Sequence, residues 1–309
     1  MRKIFPLLLF VSFASICVAQ TNKKTDLSKD DIKGNVKYIE ESTYNQNENI
    51  KVDRVYRLKK YNKDGNIEYE LTKGSEIFPG FSKELRKFAY KYDKKGKKIL
   101  CDRTEGDSDG IDKYVYDEKG NKIEYNSYGK KDTLVCTRKY KYDGNGNLID
   151  FRLYFGDSFN NGRIYEYDKK GILIKETSIG IMPDGHYFQY KYDEKGNKIE
   201  SYFYNSEDSL KNRTTYKYDE FGNVVMENNF KGFDSPESKT AYNYKYDINS
   251  NWTRQEYKWF GIDKKEVKLI ERKIVYYGDK DENNYPSWDD VNYKADEIKT
   301  EGVTVDYNF

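Results

Sequence analysis

Residues 190–200 read YKYDEKGNKIE and residues 114–124 read YVYDEKGNKIE, so ten of eleven positions are identical in two stretches of one chain. The centre of this phrase, Tyr-Asp-x-x-Gly-Asn, recurs with decay in eight copies spaced 24 to 31 residues apart. Tyr61 leads the first copy and Tyr246 leads the last. Such a period indicates a structural unit that stacks on its neighbours.

Each copy has the sequence features of a β-hairpin. The alternation before the turn, as in Tyr190-Lys191-Tyr192, predicts a strand with tyrosines on one face and lysines on the other. The aspartate opens a type I turn, and the glycine supplies the positive φ that a short hairpin loop needs. A second strand follows. The residues assigned this structural role in the six central copies are Tyr92, Asp93, Gly96, Tyr116, Asp117, Gly120, Tyr142, Asp143, Gly146, Tyr167, Asp168, Gly171, Tyr192, Asp193, Gly196, Tyr218, Asp219 and Gly222.

The repeat predicts the fold class. Eight hairpins joined by looser returns make an all-β, antiparallel meander of about sixteen to eighteen strands, which strand twist forms into a long, curled or spiral sheet. A lone hairpin is marginal in water, so the units need one another. The returns differ in length and sequence, and variable loops are where binding differences usually lie. Whether the sheet closes on itself is left open by the sequence.

The repeated phrase resembles the YD repeats of the RHS family, over roughly residues 56–277. Residues 32–36 (IKGNV) and 251–253 (NWT) also resemble small exported repeat proteins of Bacteroidota. The resemblance implies a long antiparallel sheet that curls, and it brings no catalytic motif. Large relatives form a shell around a toxin. This chain is too short to enclose a cargo domain, so the shell function is not expected here.

The two ends differ from the repeats. Residues 1–19 have a basic start, an apolar run and Ala19 at the end, which predicts a signal peptide and an exported protein, either periplasmic, on the outer surface or extracellular. Lipidation at Cys17 is disfavoured because Ile16 is not small. Residues 20–33 are interpreted as a flexible leader, 34–278 as the YD-repeat domain and 279–309 as a C-terminal cap over the last strand.

Composition excludes some classes of partner. The chain has 55 basic and 53 acidic residues, and residues 1–19 hold two of the basic ones, so the chain after cleavage is balanced. Nucleic-acid binding needs a basic excess, so it is not expected. Aliphatics are sparse beside 32 tyrosines, so tyrosine should build most of the core. Cys101 and Cys136 would remain after export, and a disulfide and two free thiols are equally open.

Signs of chemistry are few. The single histidine, His186, follows a turn, which argues against a Ser–His–Asp triad or a histidine-rich zinc site, and we expect no enzyme and no cofactor. Asp107, Asp109 and Asp112 are weak candidates for calcium ligands, although a polar turn explains them better. An outer-membrane barrel is disfavoured because its strands must present aliphatics to lipid along their length, and we expect no membrane span.

The remaining signal is aromatic. Sugars bind by laying their C–H faces on exposed rings, with carboxylates and amides taking the hydroxyls. The loop-side candidates are Tyr128, Tyr154, Tyr204, Trp259 and Phe260. We therefore expect a secreted, non-enzymatic binding or interaction module of the cell envelope, with a polysaccharide or an envelope protein as partner. The alternatives are a purely structural or adhesive surface scaffold and, with less support, a carbohydrate-active enzyme.

Overall fold

The computed structural model describes residues 25–30, 32–46, 54–73, 86–104, 109–180, 184–262 and 264–284. The predicted signal peptide and most of the predicted cap lie outside these residues. The secondary structure consists of α1 (Asp26–Lys29), β1 (Val36–Gln46), β2 (Arg54–Tyr61), β3 (Ile67–Lys73), β4 (Arg86–Tyr92), β5 (Lys98–Thr104), β6 (Gly110–Tyr116), β7 (Lys122–Tyr128), β8 (Leu134–Tyr142), β9 (Leu148–Phe155), β10 (Ser158–Tyr167), β11 (Leu173–Gly180), β12 (Tyr187–Tyr192), β13 (Lys198–Tyr204), β14 (Leu210–Tyr218), β15 (Val224–Lys231), β16 (Ser235–Tyr246), β17 (Trp252–Phe260) and β18 (Lys265–Tyr276), with a 3₁₀ turn at Lys130–Asp132.

The eighteen strands form one antiparallel meander that closes into a barrel. Each strand pairs with the next along the chain, and β18 pairs with β1 from Val36 opposite Tyr276 to Gln46 opposite Val267. The predicted all-β meander is confirmed, but the sheet closes into a barrel, so the predicted long, curled or spiral form is wrong. The eight repeat hairpins supply β2 to β17, and β1 and β18 seal the sheet. Closure gives every strand two neighbours and so removes the exposed edges that invite aggregation.

The turn at Asp193 shows how the repeated phrase builds a hairpin. Oδ1 of Asp193 accepts the backbone N–H groups of Lys195 (3.0 Å) and Asn197 (2.8 Å). The Asn197 amide donates to Oδ2 at 2.9 Å, and this hydrogen bond holds the pKa of the Asp193 carboxyl below its usual value. Gly196 has a φ of 87°, which side-chain-bearing residues rarely adopt. Every part of the phrase therefore has a role in the turn.

A β-bulge follows each turn and changes which face a residue takes. In β12 and β13, Tyr192 pairs with Lys198 and Lys191 pairs with Glu200, so Ile199 is the extra residue. Lys198 therefore shares a face with Tyr192, while Ile199 points to the opposite face. The aliphatic residues three positions after each glycine thus face away from the tyrosines, and Ile123, for example, is 37% exposed.

The two faces of the sheet have different chemistry. We call the face that carries the repeat tyrosines, such as Tyr114 and Tyr190, the tyrosine face, and the opposite face the outer face. Burial raises the pKa of Tyr114 well above its usual value and lowers that of Lys122, so the tyrosine face is poorly solvated. Residues between the tyrosines are exposed on the outer face, as Lys91, Lys141, Lys191, Lys217 and Lys245 show. The tyrosine face therefore lines the lumen.

The leading tyrosine of a repeat links its hairpin to the preceding one. Its hydroxyl donates to the carbonyl oxygen of the residue two positions after the preceding glycine. This hydrogen bond recurs from Tyr92 to Ile67 (2.7 Å), from Tyr116 to Lys98 (2.8 Å), from Tyr142 to Lys122 (2.9 Å), from Tyr167 to Leu148 (2.7 Å) and from Tyr218 to Lys198 (2.7 Å). We call these contacts the tyrosine staples. In these five repeats they give the leading tyrosine a role that phenylalanine could not fill.

The most deeply buried side chains lie at the seam between β18, β1, β2 and β3. On the outer face, Tyr38, Tyr56, Leu58, Leu71 and Val275 form one cluster. On the tyrosine face, Leu27, Val36, Ile39, Tyr61 and Ile67 form another. Tyrosine contributes to both clusters, as expected, but the aliphatic residues of the seam contribute as much.

The chain before β1 is anchored to the lumen wall. Residues 20–33 were expected to be a flexible leader, yet Asp26–Lys29 form α1. The Leu27 N–H donates to the Gly65 carbonyl (3.0 Å), and the Asp26 carboxylate accepts the Tyr92 hydroxyl (2.6 Å) and the Ile67 N–H (3.1 Å). These bonds hold α1 beside a tight turn at one end of the barrel. No helix within the described ranges is long and apolar enough to cross a membrane.

Candidate functional site

The structure places four of the five aromatic candidates on the outer face, near the edge that carries the variable loops. Tyr128 ends β7, Tyr154 lies near the end of β9, Tyr204 ends β13 and Phe260 ends β17. Tyr128 and Tyr154 are two strands apart, about 10 Å, and the others are farther away around the barrel. The candidates therefore do not converge on one site.

Trp259 is the exception, because it precedes Phe260 on the same strand and so points into the lumen. Its strand neighbours are Thr240 and Glu266, which lie on the tyrosine face. Its indole lies against Gly261, where an added Cβ would come within 2.3 Å of the ring. Trp259 is therefore a packing residue of the lumen wall, and it cannot share a ligand with Phe260 on the outer surface.

A hollow of about 460 Å³ lies beside Phe260 on the outer face of β16 and β17. Ala241 lies in its floor and is paired with Lys258, while Lys239 is paired with Phe260. Because alanine lacks a long side chain, it leaves a depression between its larger neighbours. Asn243 and Glu256 line the hollow as well.

A second hollow of about 430 Å³ adjoins the first and shares Lys239 and Phe260 with it. Phe230, Pro236 and exposed Ile262 line its far side. Phe230 and Phe260 stand on β15 and β17, so their strands are about 10 Å apart. Together the two hollows form one groove at the loop edge, which we call the Phe260 groove.

The Phe260 groove combines aromatic surface with fixed polar groups. The Arg213 guanidinium lies 4.6 Å from the centroid of Phe230, and the Lys265 ammonium lies 5.5 Å from that of Phe260. The Lys258 ammonium and the Glu256 carboxylate pair at 3.2 Å. Ammonium, carboxylate and amide groups beside two rings can hold a ligand that has both apolar faces and hydroxyl groups.

The other aromatic candidates make smaller surfaces. The Tyr204 ring stacks on Tyr187, with centroids 4.8 Å apart and planes 13° apart, and the Tyr187 hydroxyl donates to Asp208 at 3.0 Å. Tyr154 packs edge-to-face on Phe159 at 5.8 Å. These are ring pairs on an open surface without the enclosing walls that Phe260 has.

Two of the three weak calcium candidates, Asp109 and Asp112, belong to no cluster of metal-ligating side chains among the described residues. Asp112 lies on the tyrosine face, is 5% exposed and accepts a hydrogen bond from the Arg103 guanidinium at 3.0 Å, so its charge is already neutralised. Asp109 lies in the loop before β6, and Asp107 is outside the described residues. Among the residues that the structure describes, no group of three or more metal-ligating side chains occurs.

The two cysteines are free and buried, and the fold excludes a bond between them. Cys101 lies on β5 and Cys136 on β8, with β6 and β7 between them. Three strand spacings amount to about 14 Å, whereas a disulfide needs Cα atoms within about 7 Å. Burial raises the pKa of the Cys101 thiol to about 12, which makes it unreactive at neutral pH.

His186 is also structural in character. Its ring packs on Phe203 with centroids 5.6 Å apart, and its Nδ1 is buried without a hydrogen-bond partner among the described residues. Its carbonyl accepts the Ser178 N–H at 2.8 Å, which closes the turn between β11 and β12.

The sequence did not identify Lys239, Asn243 or Glu256 as site residues. The small Ala241 within an otherwise bulky strand was the signal that could have indicated a hollow.

Comparisons with known proteins give weak likenesses only. No family model matches the chain and no curated protein matches it, so membership of the YD-repeat family stays a prediction. A porin-like protein from Bacteroides uniformis ATCC 8492 is 14% identical, with a TM-score of 0.47, over 78% of this chain and 96% of that one. A porin-like protein from Bacteroides vulgatus ATCC 8482 is 14% identical, with a TM-score of 0.34, over 80% of this chain and 100% of that one.

The TcdB2-TccC3-TEV structure is 13% identical, with a TM-score of 0.33, over 70% of this chain and 14% of that one. At these TM-scores the likenesses carry no argument about function.

Proposed function

We propose that this chain is an exported, non-enzymatic barrel that binds a saccharide in the Phe260 groove. The observation that supports the proposal is the groove itself, in which the Phe260 ring stands beside Lys239, Asn243 and Glu256. Rings take the C–H faces of sugars, and the polar groups take their hydroxyls. The cell envelope is the expected location because residues 1–19 have the features of a signal peptide.

The outer face supports a water-exposed barrel rather than a lipid-facing one. A membrane barrel needs an apolar outward band about 25 Å tall. Here the outer face carries exposed Lys113, Lys139 and Lys239 within β6, β8 and β16, away from the tight turns. A ligand in aqueous surroundings can therefore approach the groove directly.

The test is a glycan array with the mature chain, including cell-wall fragments, in wild type and two matched variants. Phe260→Leu removes the ring on the outer face, and Trp259→Leu removes the adjacent ring on the lumen face. We expect Phe260→Leu to weaken binding about tenfold, as loss of a ring contact of about 1.4 kcal/mol would, and Trp259→Leu to retain wild-type affinity. Circular dichroism confirms that both variants fold.

Equal losses in both variants would refute the groove as the binding site. Binding lost only in Tyr204→Ala would move the site to the Tyr187–Tyr204 ring pair. A blank array with folded wild-type protein would refute saccharide binding and favour the alternative, a structural or adhesive scaffold that contacts other proteins.

A further inference from the structure

Two cations on the lumen wall have no carboxylate partner within the described part of the chain. Lys122, the first residue of β7, places its ammonium 4.5 Å from the ring centroid of Tyr140. Arg138, on β8, stacks its guanidinium 4.8 Å from the centroid of Tyr125. Both lie on the tyrosine face, because Arg138 is paired with Tyr125 in the ladder and Lys122 with Tyr116. They therefore flank the same stretch of wall.

The charged groups that act most strongly on Lys122 are positive. Burial is the largest influence that lowers its pKa, and the charges of Arg138, Lys98 and Lys29 lower it further. The carboxylates nearby on this face are occupied. Asp112, two strands from Arg138, is bound by Arg103, and Asp26 takes both Lys98 (3.8 Å) and Lys29 (3.1 Å). The wall thus carries two positive charges that these carboxylates do not neutralise.

Other lumen cations are satisfied differently. Lys198 has the same position in its repeat as Lys122, yet its ammonium lies between two rings, 5.0 Å from Tyr190 and 5.1 Å from Tyr216. Lys122 has the ring of Tyr140 on one side and the cation Arg138 as a neighbour. Because Lys122 is partly buried, holding its charge close to that of Arg138 is unfavourable unless an anion joins them. Arg138 remains exposed to solvent, so such an anion can reach it.

We propose that Lys122 and Arg138 bind an oxyanion, such as a carboxylate or sulfate group, in the lumen beside Tyr140. The guanidinium supplies paired N–H donors to two oxygens, and the ammonium supplies a point charge. The Tyr140 hydroxyl stays protonated at neutral pH, because burial raises its pKa, and so it is a further donor. The ligand is an anionic group on a molecule that enters the lumen, and the site is separate from the Phe260 groove.

The test uses the full mature chain with its lysines converted to ¹³C-dimethyl-lysine, which keeps the positive charge. The Lys122 methyl signal is assigned from its loss in Lys122→Arg. Sodium sulfate and sodium acetate are each titrated against sodium chloride at constant ionic strength. We expect a saturable shift of the Lys122 signal and a rise in its titration midpoint. Lys191 on the outer face, which pairs with Glu200 at 2.9 Å, should show neither. A response to sulfate alone or to acetate alone identifies the class of oxyanion.

The variants separate a site from a diffuse salt effect. Arg138→Gln should weaken sulfate binding about tenfold, as expected for one charge-assisted hydrogen bond. Arg138→Lys should retain most of the affinity, and Arg254→Gln on the outer face should retain all of it. Circular dichroism checks that each variant is folded. Shifts that are equal for Lys122 and Lys191, or an affinity that Arg138→Gln leaves unchanged, would overturn the proposal.

Discussion

The tyrosine staples can be tested with a matched pair of single-atom deletions. Tyr218→Phe removes the hydroxyl that donates to the Lys198 carbonyl at 2.7 Å and keeps the ring. Tyr192 has the same place in the preceding repeat, but its hydroxyl makes no staple among the described residues, and burial alone raises its pKa. Tyr192→Phe is therefore the control, because it removes the same atom without removing the bond.

The magnitude follows from the energy of one buried hydrogen bond. Loss of the donor leaves the Lys198 carbonyl without its partner, which costs about 1 kcal/mol. With an m-value of about 3 kcal/mol/M in urea, the midpoint of unfolding should fall by about 0.3 M. Tyr192→Phe should leave the midpoint within error of wild type.

A multiple variant makes the effect large enough to decide the question. Phenylalanine at Tyr116, Tyr142, Tyr167 and Tyr218 removes four staples on different hairpins. Neighbouring sites are two or four strands apart, about 10 Å or more, so their effects should add to about 4 kcal/mol and lower the urea midpoint by about 1.3 M. The assay is urea unfolding followed by far-UV circular dichroism. Equal shifts for Tyr192→Phe and Tyr218→Phe, or a negligible shift for the fourfold variant, would refute the staple as the link between hairpins.

Three further predictions concern pH, thiols and the N-terminal segment. Burial raises the pKa of Tyr116 and Tyr125 to about 12, whereas tyrosine in the unfolded chain ionises near pH 10. The unfolded state therefore loses its protons first as the pH rises, so the free energy of unfolding should fall between about pH 10 and about pH 12. Circular dichroism reports the unfolding, and absorbance at 295 nm reports the ionisation of tyrosine. Cys101 and Cys136 should both react with a thiol reagent only after denaturation, and a reductant should leave the melting temperature unchanged; a bridged peptide in a non-reducing digest would contradict the fold. Asp26→Ala should cost about 2 kcal/mol in urea unfolding, because it removes a charged acceptor for Tyr92 and for backbone; an unchanged midpoint would mean that α1 is not anchored.

Local structure was predictable from the sequence because its causes lie within a few residues. The turn at Asp193 needs only an aspartate, a glycine three positions later and an asparagine after it. The structure forms the expected bonds from backbone to the aspartate, and the asparagine adds a bond that was not predicted. The strand count followed for the same reason, since each phrase makes one hairpin. The bulge at Ile199 was not read from the sequence. It moves the aliphatic residue to the outer face and brings Lys198 to the tyrosines.

Closure was not predictable because it depends on a pairing across the whole chain. β1 and β18 carry no copy of the repeat, so periodicity says nothing about their partners. Their composition did hold a signal. Val36 and Ile39 in β1 are aliphatic on the face where the repeats have tyrosine, Val275 in β18 is aliphatic on the outer face, and all three are buried. Strands that end as solvent-exposed edges usually carry charge or proline instead.

The candidate site shows the same contrast between local features, which the sequence predicts, and features that depend on strand pairing, which it does not. Phe260 was identified as an exposed ring at the loop edge, but its face, and that of Trp259, depended on the registers of β16 and β17. A one-residue change in register moves every side chain to the other face. The lumen cations Lys122 and Arg138 were missed because the bulge decides where Lys122 points, and because their proximity joins two strands.

The staple explains how one repeated frame can carry different chemistry in its lumen. In five repeats it uses the backbone carbonyl of the residue two positions after the turn glycine and leaves that residue's side chain free to vary. The residues at the equivalent position of the eight copies, in chain order, are Ile67, Lys98, Lys122, Leu148, Leu173, Lys198, Val224 and, after Ser250 in place of the glycine, Trp252. Because a substitution there keeps the carbonyl, it changes the lining without breaking the link between hairpins. The bonds between hairpins therefore do not require the lysines found at three of these eight positions. At Lys122, which contacts one ring among the described residues, a function of the lumen is the better explanation for the lysine.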